Sequence, residues 1–80
     1  MIKNQQKKEG EKMTNTKAFM EAVDKLGIKF KALAEQIGLT PNGLRKKVNN
    51  ETEFKASEIQ KCVEVLRLTK KERDYIFLNE

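Results

Sequence analysis

Basic and amide side chains are concentrated in one short stretch of the chain. Positions 36 to 50 contain no acidic residue, whereas Arg45, Lys46 and Lys47 supply three consecutive positive charges. A guanidinium can donate two hydrogen bonds to O6 and N7 of guanine, and a carboxamide such as that of Asn42 can pair with N6 and N7 of adenine. Because phosphates repel carboxylates and attract ammonium groups, these residue types favour contact with a nucleic acid.

Catalytic and metal-binding chemistry lacks the residues that it usually needs. The chain has no histidine, Ser57 is its only serine and Cys62 is its only cysteine. The usual nucleophile–base pairs, a Cys/His zinc site and an intramolecular disulfide are therefore excluded. The acidic residues are scattered over positions typical of solvated helix faces, so we expect neither an enzyme nor a bound cofactor or metal.

Charge and hydropathy indicate the environment of the chain. The net charge of +5 suits a polyanionic partner, but it suits solubility equally well, so charge alone does not identify the partner. No apolar run approaches the length of a membrane span, and the N-terminus lacks the apolar region of a signal peptide. Since a single thiol also fits a reducing compartment, we expect a cytoplasmic protein.

The first 13 residues differ in composition from the rest. Residues 1–12 contain one apolar side chain after the initiator methionine, Ile2, and cannot bury enough surface to offset the entropy of ordering. Residues 1–13 are therefore predicted to be a disordered basic tail ahead of one domain, residues 14–80. The alternative is an upstream-start extension, since residues 8–12 can be encoded by purines alone, as a ribosome-binding site would be, directly before Met13.

After residue 13 the apolar residues recur at helical spacing, and no segment shows the alternation of a strand. The pattern predicts an all-α domain of five short helices around one core. Start and stop signals set the limits, with Asn15 or Thr14 as the first N-cap, Gly38 as a stop and Thr40 as a further N-cap before a proline. The predicted helices are residues 16–26, 30–37, 41–49, 56–66 and 70–78.

The second and third predicted helices are joined by only three residues, Gly38, Leu39 and Thr40. So short a connection requires the helices to cross steeply, which is the geometry of a helix-turn-helix. Ala34 is small at the point where the two helices approach, and Gly38 suits a turn with positive φ. The spacing therefore predicts a helix-turn-helix motif.

Residues 15–77 resemble a known family. The run KFKALAEQIGLTPNGLRKKVNNETEFKASEIQKCVEVLRLTKKERDYIF resembles the Cro/repressor helix-turn-helix regulators of phages and bacteria, which are also described as XRE-type or lambda-repressor-like. The resemblance is strongest to small phage-type members of that family. The resemblance implies a compact five-helix lambda-repressor-like domain that regulates transcription by sequence-specific binding to double-stranded DNA, without catalysis. It implies phosphate contacts near Lys29 and Lys31. One position departs from the family pattern, because the last core position of the third helix holds Lys47 and the apolar residue is Val48 instead.

The DNA-contacting surface is expected on the second and third helices. Leu44 and Val48 are predicted to face inward. Asn42, Arg45, Lys46 and Asn49 then face outward or sideways. The first three of these residues are expected to read bases. The full set of candidate DNA-binding residues is Lys29, Lys31, Thr40, Asn42, Gly43, Arg45, Lys46, Lys47 and Asn49.

Several of these residues also have an explanation that does not involve DNA. A basic triplet at a helix end complements the helix dipole. Asn42 is either a base contact or an aid to Thr40 in capping. Gly43, which costs a helix up to about 1 kcal/mol relative to alanine, either permits close approach to DNA or has no role. Cys62 is expected to be a small core residue rather than a redox sensor.

The partner is expected to be an operator in double-stranded DNA, bound by a weak homodimer, because one reading helix covers few base pairs. The best candidate for the dimer surface is the apolar C-terminal cluster of Tyr75, Ile76, Phe77 and Leu78. The alternative for each of these four residues is that its side chain packs in the core of its own domain instead of contacting a second copy. A second class of function also stays open: a protein-interaction module such as an antitoxin or anti-repressor. That class predicts a mostly acidic or apolar surface on the third helix.

Removal of residues 1–12 should leave the stability of the domain unchanged. The segment carries four of the 17 basic residues and two of the 12 acidic ones, so a chain that starts at Met13 has a net charge of +3 instead of +5. We expect an unchanged melting temperature, because no apolar cluster in the segment can reach the core. DNA binding should weaken slightly, and more so at low salt. A marked fall in melting temperature would show that Ile2 packs against the domain.

Overall fold

The computed structural model describes residues 13–78, and every regular element within that range is helical. The helices are α1 (Thr16–Leu26), α2 (Phe30–Ile37), α3 (Pro41–Val48), α4 (Ala56–Leu66) and α5 (Lys70–Arg73), which continues as a π-helical segment (Asp74–Leu78). The expectation of an all-α chain is confirmed for this range. No helix within residues 13–78 is long and apolar enough to cross a membrane. The predicted tail, apart from Met13, lies outside the described residues.

Local hydrogen bonds account for the starts of two helices. α1 begins after Asn15, whose side-chain oxygen accepts from the amide of Ala18 at 3.1 Å, so Asn15 rather than Thr14 is the N-cap. α5 begins with the capping box that a T-x-x-E sequence predicts. The Thr69 hydroxyl accepts from the Glu72 amide at 3.1 Å, and the Glu72 carboxylate accepts from the Thr69 amide at 2.8 Å. Each bond satisfies an amide that the first helical turn leaves without a partner.

Two helix ends differ from the sequence prediction. α3 stops at Val48, and Asn49 is its C-cap rather than its last residue. The fifth helix widens into a π-helix at Asp74 instead of remaining an α-helix. A π-helix bonds residue i to i+5 and turns less per residue, so the neighbours Ile76 and Phe77 can both face the core. Both are in fact 3% exposed.

Three phenylalanines from distant parts of the chain meet in the core. Phe19 of α1 stacks on Phe54 of the α3–α4 loop with ring centroids 6.0 Å apart, and Phe77 meets these rings edge-on at 6.0 and 5.2 Å. Each such pair adds about 0.5–1.5 kcal/mol to what burial contributes. The same two ends of the chain are joined by the amide of Asn15, which donates to the carbonyl of Ile76 at 2.7 Å. Phe54 is partly buried. Besides Phe19 and Phe77, the buried side chains are Ala18, Val23, Leu33, Ala34, Ile37, Leu44, Val48, Cys62, Leu66 and Ile76.

Cys62 lies in this core, as its place in the apolar spacing of α4 predicted. Its side chain is fully buried, and burial together with the charge of Glu58 raises the pKa of the thiol to about 12. A thiol with so high a pKa stays protonated at neutral pH and is a poor nucleophile. Cys62 therefore acts as a small packing residue.

The segment before α1 is fastened to the end of α3. The carboxamide of Asn50 accepts from the amide of Thr14 and donates to its carbonyl, both at 2.9 Å. The hydroxyl of Thr16 donates to the carbonyl of Val48 at 2.6 Å. Three hydrogen bonds therefore tie the start of the described chain to the last turn of α3.

The side-chain carboxamide of Asn50 should contribute to the stability of the domain. Asn50 has a φ of +66°, which asparagine and glycine adopt more readily than other residues. We expect Asn50→Gly to lower the free energy of unfolding by about 1–3 kcal/mol, because two part-buried backbone groups of Thr14 lose their partners. Asn50→Ala should cost about 1–2 kcal/mol more, since alanine is strained in the left-handed region. Urea denaturation of the three proteins measures both differences. Equal stability of Asn50→Gly and the wild type would show that water replaces the two bonds.

Candidate nucleic-acid interface

The direction of α3 is fixed by the turn that connects it to α2. The Gly38 amide donates to the carbonyls of Ala34 and Glu35 at 3.0 and 3.1 Å, and the Leu39 amide donates to the Ala34 carbonyl at 2.8 Å. Gly38 has a φ of +91°, a left-handed conformation that a side chain would strain. Because Ala34 is small and fully buried, the helices can approach closely at this point.

α3 has two chemically different faces. Its buried face contains Leu44 and Val48. Its exposed face carries polar side chains at positions i, i+3, i+4 and i+7, which lie along one side of a helix. These exposed residues are Asn42, Arg45, Lys46 and Asn49. The division into faces is the one that the sequence predicted, and it leaves cations and carboxamides on the outside.

Arg45 is oriented by a contact with α2. Its guanidinium carbon lies 4.9 Å from the centroid of the Phe30 ring, within range of a cation–π interaction. Phe30 is the first residue of α2, and the exposed Lys29 and Lys31 flank it. The first turn of α2 and the exposed face of α3 therefore adjoin. Together they form a basic surface that consists of Lys29, Lys31, Asn42, Arg45, Lys46 and Asn49.

The role of Phe30 could not be found from the sequence. The lysines around it are visible as charges, but no periodic pattern relates Phe30 to a residue on another helix. Only the crossing of α2 and α3 brings its ring beneath Arg45. The half-buried ring of Phe30 also packs against the hydrophobic core.

Thr40 and Gly43 form the start of α3. The Thr40 hydroxyl accepts from the Gly43 amide at 3.0 Å, so Thr40 caps the helix and the side chain of Asn42 remains at the surface. A Cβ atom at Gly43 would lie 3.1 Å from the Thr40 hydroxyl oxygen. That contact is tighter than ordinary packing, so the glycine leaves room for the cap. The sequence alone offered only approach to DNA or no role for Gly43.

Lys47, which the sequence placed among the DNA contacts, turns away from the basic surface. Its ammonium donates to the carbonyl of Glu53 at 2.9 Å and pairs with the carboxylate of Glu58 at 3.1 Å. Only 14% of the Lys47 side chain and 12% of the Glu58 side chain are exposed. A position three residues after Leu44 and one before Val48 belongs to the buried face, and this spacing is the signal in the sequence that indicated such a placement.

Glu58 is held in its charged form. Burial raises its pKa, but the hydrogen bond from the Lys55 amide at 2.8 Å and the ammonium of Lys47 outweigh burial, so the pKa lies below its usual value. A carboxyl group whose pKa is lowered by folding stabilises the fold above its unfolded pKa. It loses this contribution as the pH falls through its folded pKa. The ion pair is therefore intact at neutral pH.

No family model matches the chain, and neither a curated protein nor a solved structure matches it. The basic surface is therefore the main physical guide to function. It can bind polyanions through its ammonium and guanidinium groups, and it can form directional hydrogen bonds through its carboxamides.

Proposed function

We propose that the protein is a transcriptional regulator of the Cro/repressor type, similar to small phage members, that binds an operator in double-stranded DNA. In this proposal α2 and α3 are the helix-turn-helix of a lambda-repressor-like domain, and α3 enters the major groove. The observation that carries the proposal is the basic surface, in which four exposed cations and two exposed carboxamides lie at the start of α2 and on the outer face of α3, joined by the contact of Arg45 with Phe30. The absence of acidic residues from positions 36 to 50 supports it, because a carboxylate there would repel phosphate.

The residues of the basic surface make two kinds of contact with DNA in this proposal. Lys29 and Lys31, at the start of α2, contact phosphates and set the register of the protein on the duplex. Asn42, Arg45 and Lys46 read base edges from the exposed side of α3. The other candidates, Thr40, Gly43 and Asn49, lie at the two ends of the same helix and contact the backbone that borders the groove.

The side chain of Arg45 is partly ordered in the unbound protein, which favours its contact with DNA. Ordering a long side chain at an interface costs about 0.5–1.5 kcal/mol. The Phe30 ring beneath the guanidinium already limits the freedom of Arg45 in the unbound protein. A guanidinium that lies over a ring still directs its edge N–H groups outward, and these are the donors that guanine accepts from.

A protein-interaction module is the second candidate function, and the surface of α3 distinguishes the two. Docking of another protein on this helix would favour an apolar or acidic face. The exposed residues of α3 instead include Asn42, Arg45 and Lys46, none of which supplies an apolar anchor. Selection of bound sequences from a random duplex pool tests the choice: enrichment of one sequence supports the regulator, and no enrichment favours the interaction module.

The proposal includes a weak homodimer. Ile76 and Phe77 close the protein's own core, whereas Tyr75 is 56% exposed and Leu78 is half-buried. Tyr75 borders an apolar groove of about 410 Å³ between α1 and the α4–α5 connection. An exposed ring next to an apolar groove suits contact with a second copy, and a two-fold axis is the commonest way to close such a contact. Two reading helices would then lie about 34–36 Å apart, one turn of DNA.

Arg45→Ala should weaken binding to the selected operator by about 1–3 kcal/mol and affect binding to random duplex less, because a bidentate contact with a base is lost. Lys17→Ala is the matched control. It removes the same charge from an exposed position of α1 that belongs neither to the basic surface nor to the groove beside Tyr75. Fluorescence anisotropy with both duplexes measures the six affinities of the wild type and the two variants. Equal losses on operator and random duplex for Arg45→Ala would show that Arg45 contacts only phosphate.

Association should depend on the exposed residues of the C-terminal cluster. Tyr75→Ala/Leu78→Ala should abolish the dimer while the melting temperature changes little, because neither side chain is part of the buried core. Ile76→Ala should act mainly by lowering stability, by about 2–5 kcal/mol. Sedimentation with and without a palindromic operator measures the assembly. One wild-type protein per palindromic duplex would refute the dimer.

A further inference from the structure

Lys47 is a feature of α3 that the proposed DNA contacts do not explain. It brings a charge into the buried face of the helix, where Leu44 and Val48 supply apolar groups. A charge in such a place is costly unless it is both paired and hydrogen-bonded. Both conditions are met, since the ammonium reaches the Glu58 carboxylate at 3.1 Å and the Glu53 carbonyl at 2.9 Å.

The ion pair joins two helices that otherwise have little contact, because α3 packs mainly against α2. Glu58 lies in the first turn of α4, and the same carboxylate oxygen that meets Lys47 also accepts from the Lys55 amide at 2.8 Å. One oxygen atom therefore fixes both the start of α4 and the last turn of α3. The hydrogen bond from Lys47 to the Glu53 carbonyl also attaches the loop between α3 and α4.

The last turn of α3 carries part of the basic surface. Lys46 precedes Lys47 in this turn, and the amide of Asn49 donates to the carbonyl of Arg45 at 2.9 Å. Because these residues share one helical turn, a shift of Lys47 displaces them together. Binding groups need to be held within about 0.5 Å of their productive geometry, so a small displacement is sufficient to weaken recognition.

We propose that Lys47 is a positioning residue rather than a phosphate contact. Its ion pair with Glu58 holds the last turn of α3 in the orientation that presents Lys46 and Asn49 to DNA. This inference rests on the proposed function. It also explains how a basic triplet can include one lysine that contributes nothing directly to the basic surface.

The test compares a charge-neutral removal of the pair with the loss of an exposed lysine. Lys47→Met/Glu58→Gln removes the ion pair and leaves the net charge and the side-chain lengths nearly unchanged. Lys31→Met is the control and removes one lysine of the basic surface. Affinity for the selected duplex is measured over a range of salt concentrations, at a temperature at which thermal melts show each variant to be folded. Glu58→Gln alone replaces the double variant if the latter does not fold.

The double variant should bind on the order of three- to tenfold more weakly, with an unchanged slope of log K against log salt, because no phosphate contact is lost. Lys31→Met should reduce the magnitude of this slope by about 0.9, the value for one phosphate contact. An equal reduction in the double variant would show that Lys47 contacts phosphate. Wild-type affinity in the double variant would show that the ion pair does not position the helix. Either result overturns the inference.

Hydrogen exchange in the free protein makes the test independent of DNA. The amides of Asn49 and Glu51 donate to the carbonyls of Arg45 and Lys46 at 2.9 and 2.8 Å. These amides should exchange at least about threefold faster in the double variant, because the last turn of α3 opens more readily, and Lys31→Met should leave their rates unchanged. A wild type that binds no duplex would refute the proposed function but leave this comparison valid. Unchanged exchange in the double variant would refute the positioning role.

Discussion

The left-handed turn at Gly38 is the constraint on which the basic surface depends. Phe30 is at the start of α2 and Arg45 is in the middle of α3, and their side chains meet because the chain changes direction within the three residues between the helices. A longer connection would permit many angles between these helices, whereas this one is fixed by amide hydrogen bonds back to Ala34 and Glu35. The surface is thus a product of one interhelical angle, and each of its side chains is ordinary when considered alone.

The far end of α3 is held by different means. Its buried face supplies only two apolar residues, Leu44 and Val48, so polar contacts carry much of the remaining attachment. Hydrogen bonds of Asn50 and Thr16 connect this end to residues 14–16, and Lys47 connects it to α4. A short helix with few apolar contacts gains a fixed orientation in this way, since hydrogen bonds and ion pairs are directional and apolar packing is not.

Much of the helical framework could be predicted from the sequence, because apolar spacing, capping residues and glycines report on local conformation. The outward face of α3 could be predicted for the same reason. The widening at Asp74 could not, since it serves contacts made by Ile76 and Phe77 across the fold. At Lys47 two rules conflicted: a charge predicts exposure and the helical spacing predicts burial. A carboxylate on another helix decides between them, and its position is known only once the helices are packed.

The pairing of Asn15 with Ile76 and of Phe19 with Phe77 has a consequence for biosynthesis. A ribosome releases the chain from its N-terminal end, so α1 leaves the exit tunnel before Ile76 and Phe77 do. Until Ile76 and Phe77 emerge, the nascent chain has helices but an open core, which is the form that chaperones and proteases recognise. Ile76 and Phe77 therefore complete the core, and a chain truncated before Ile76 would lack the partners of Asn15 and Phe19.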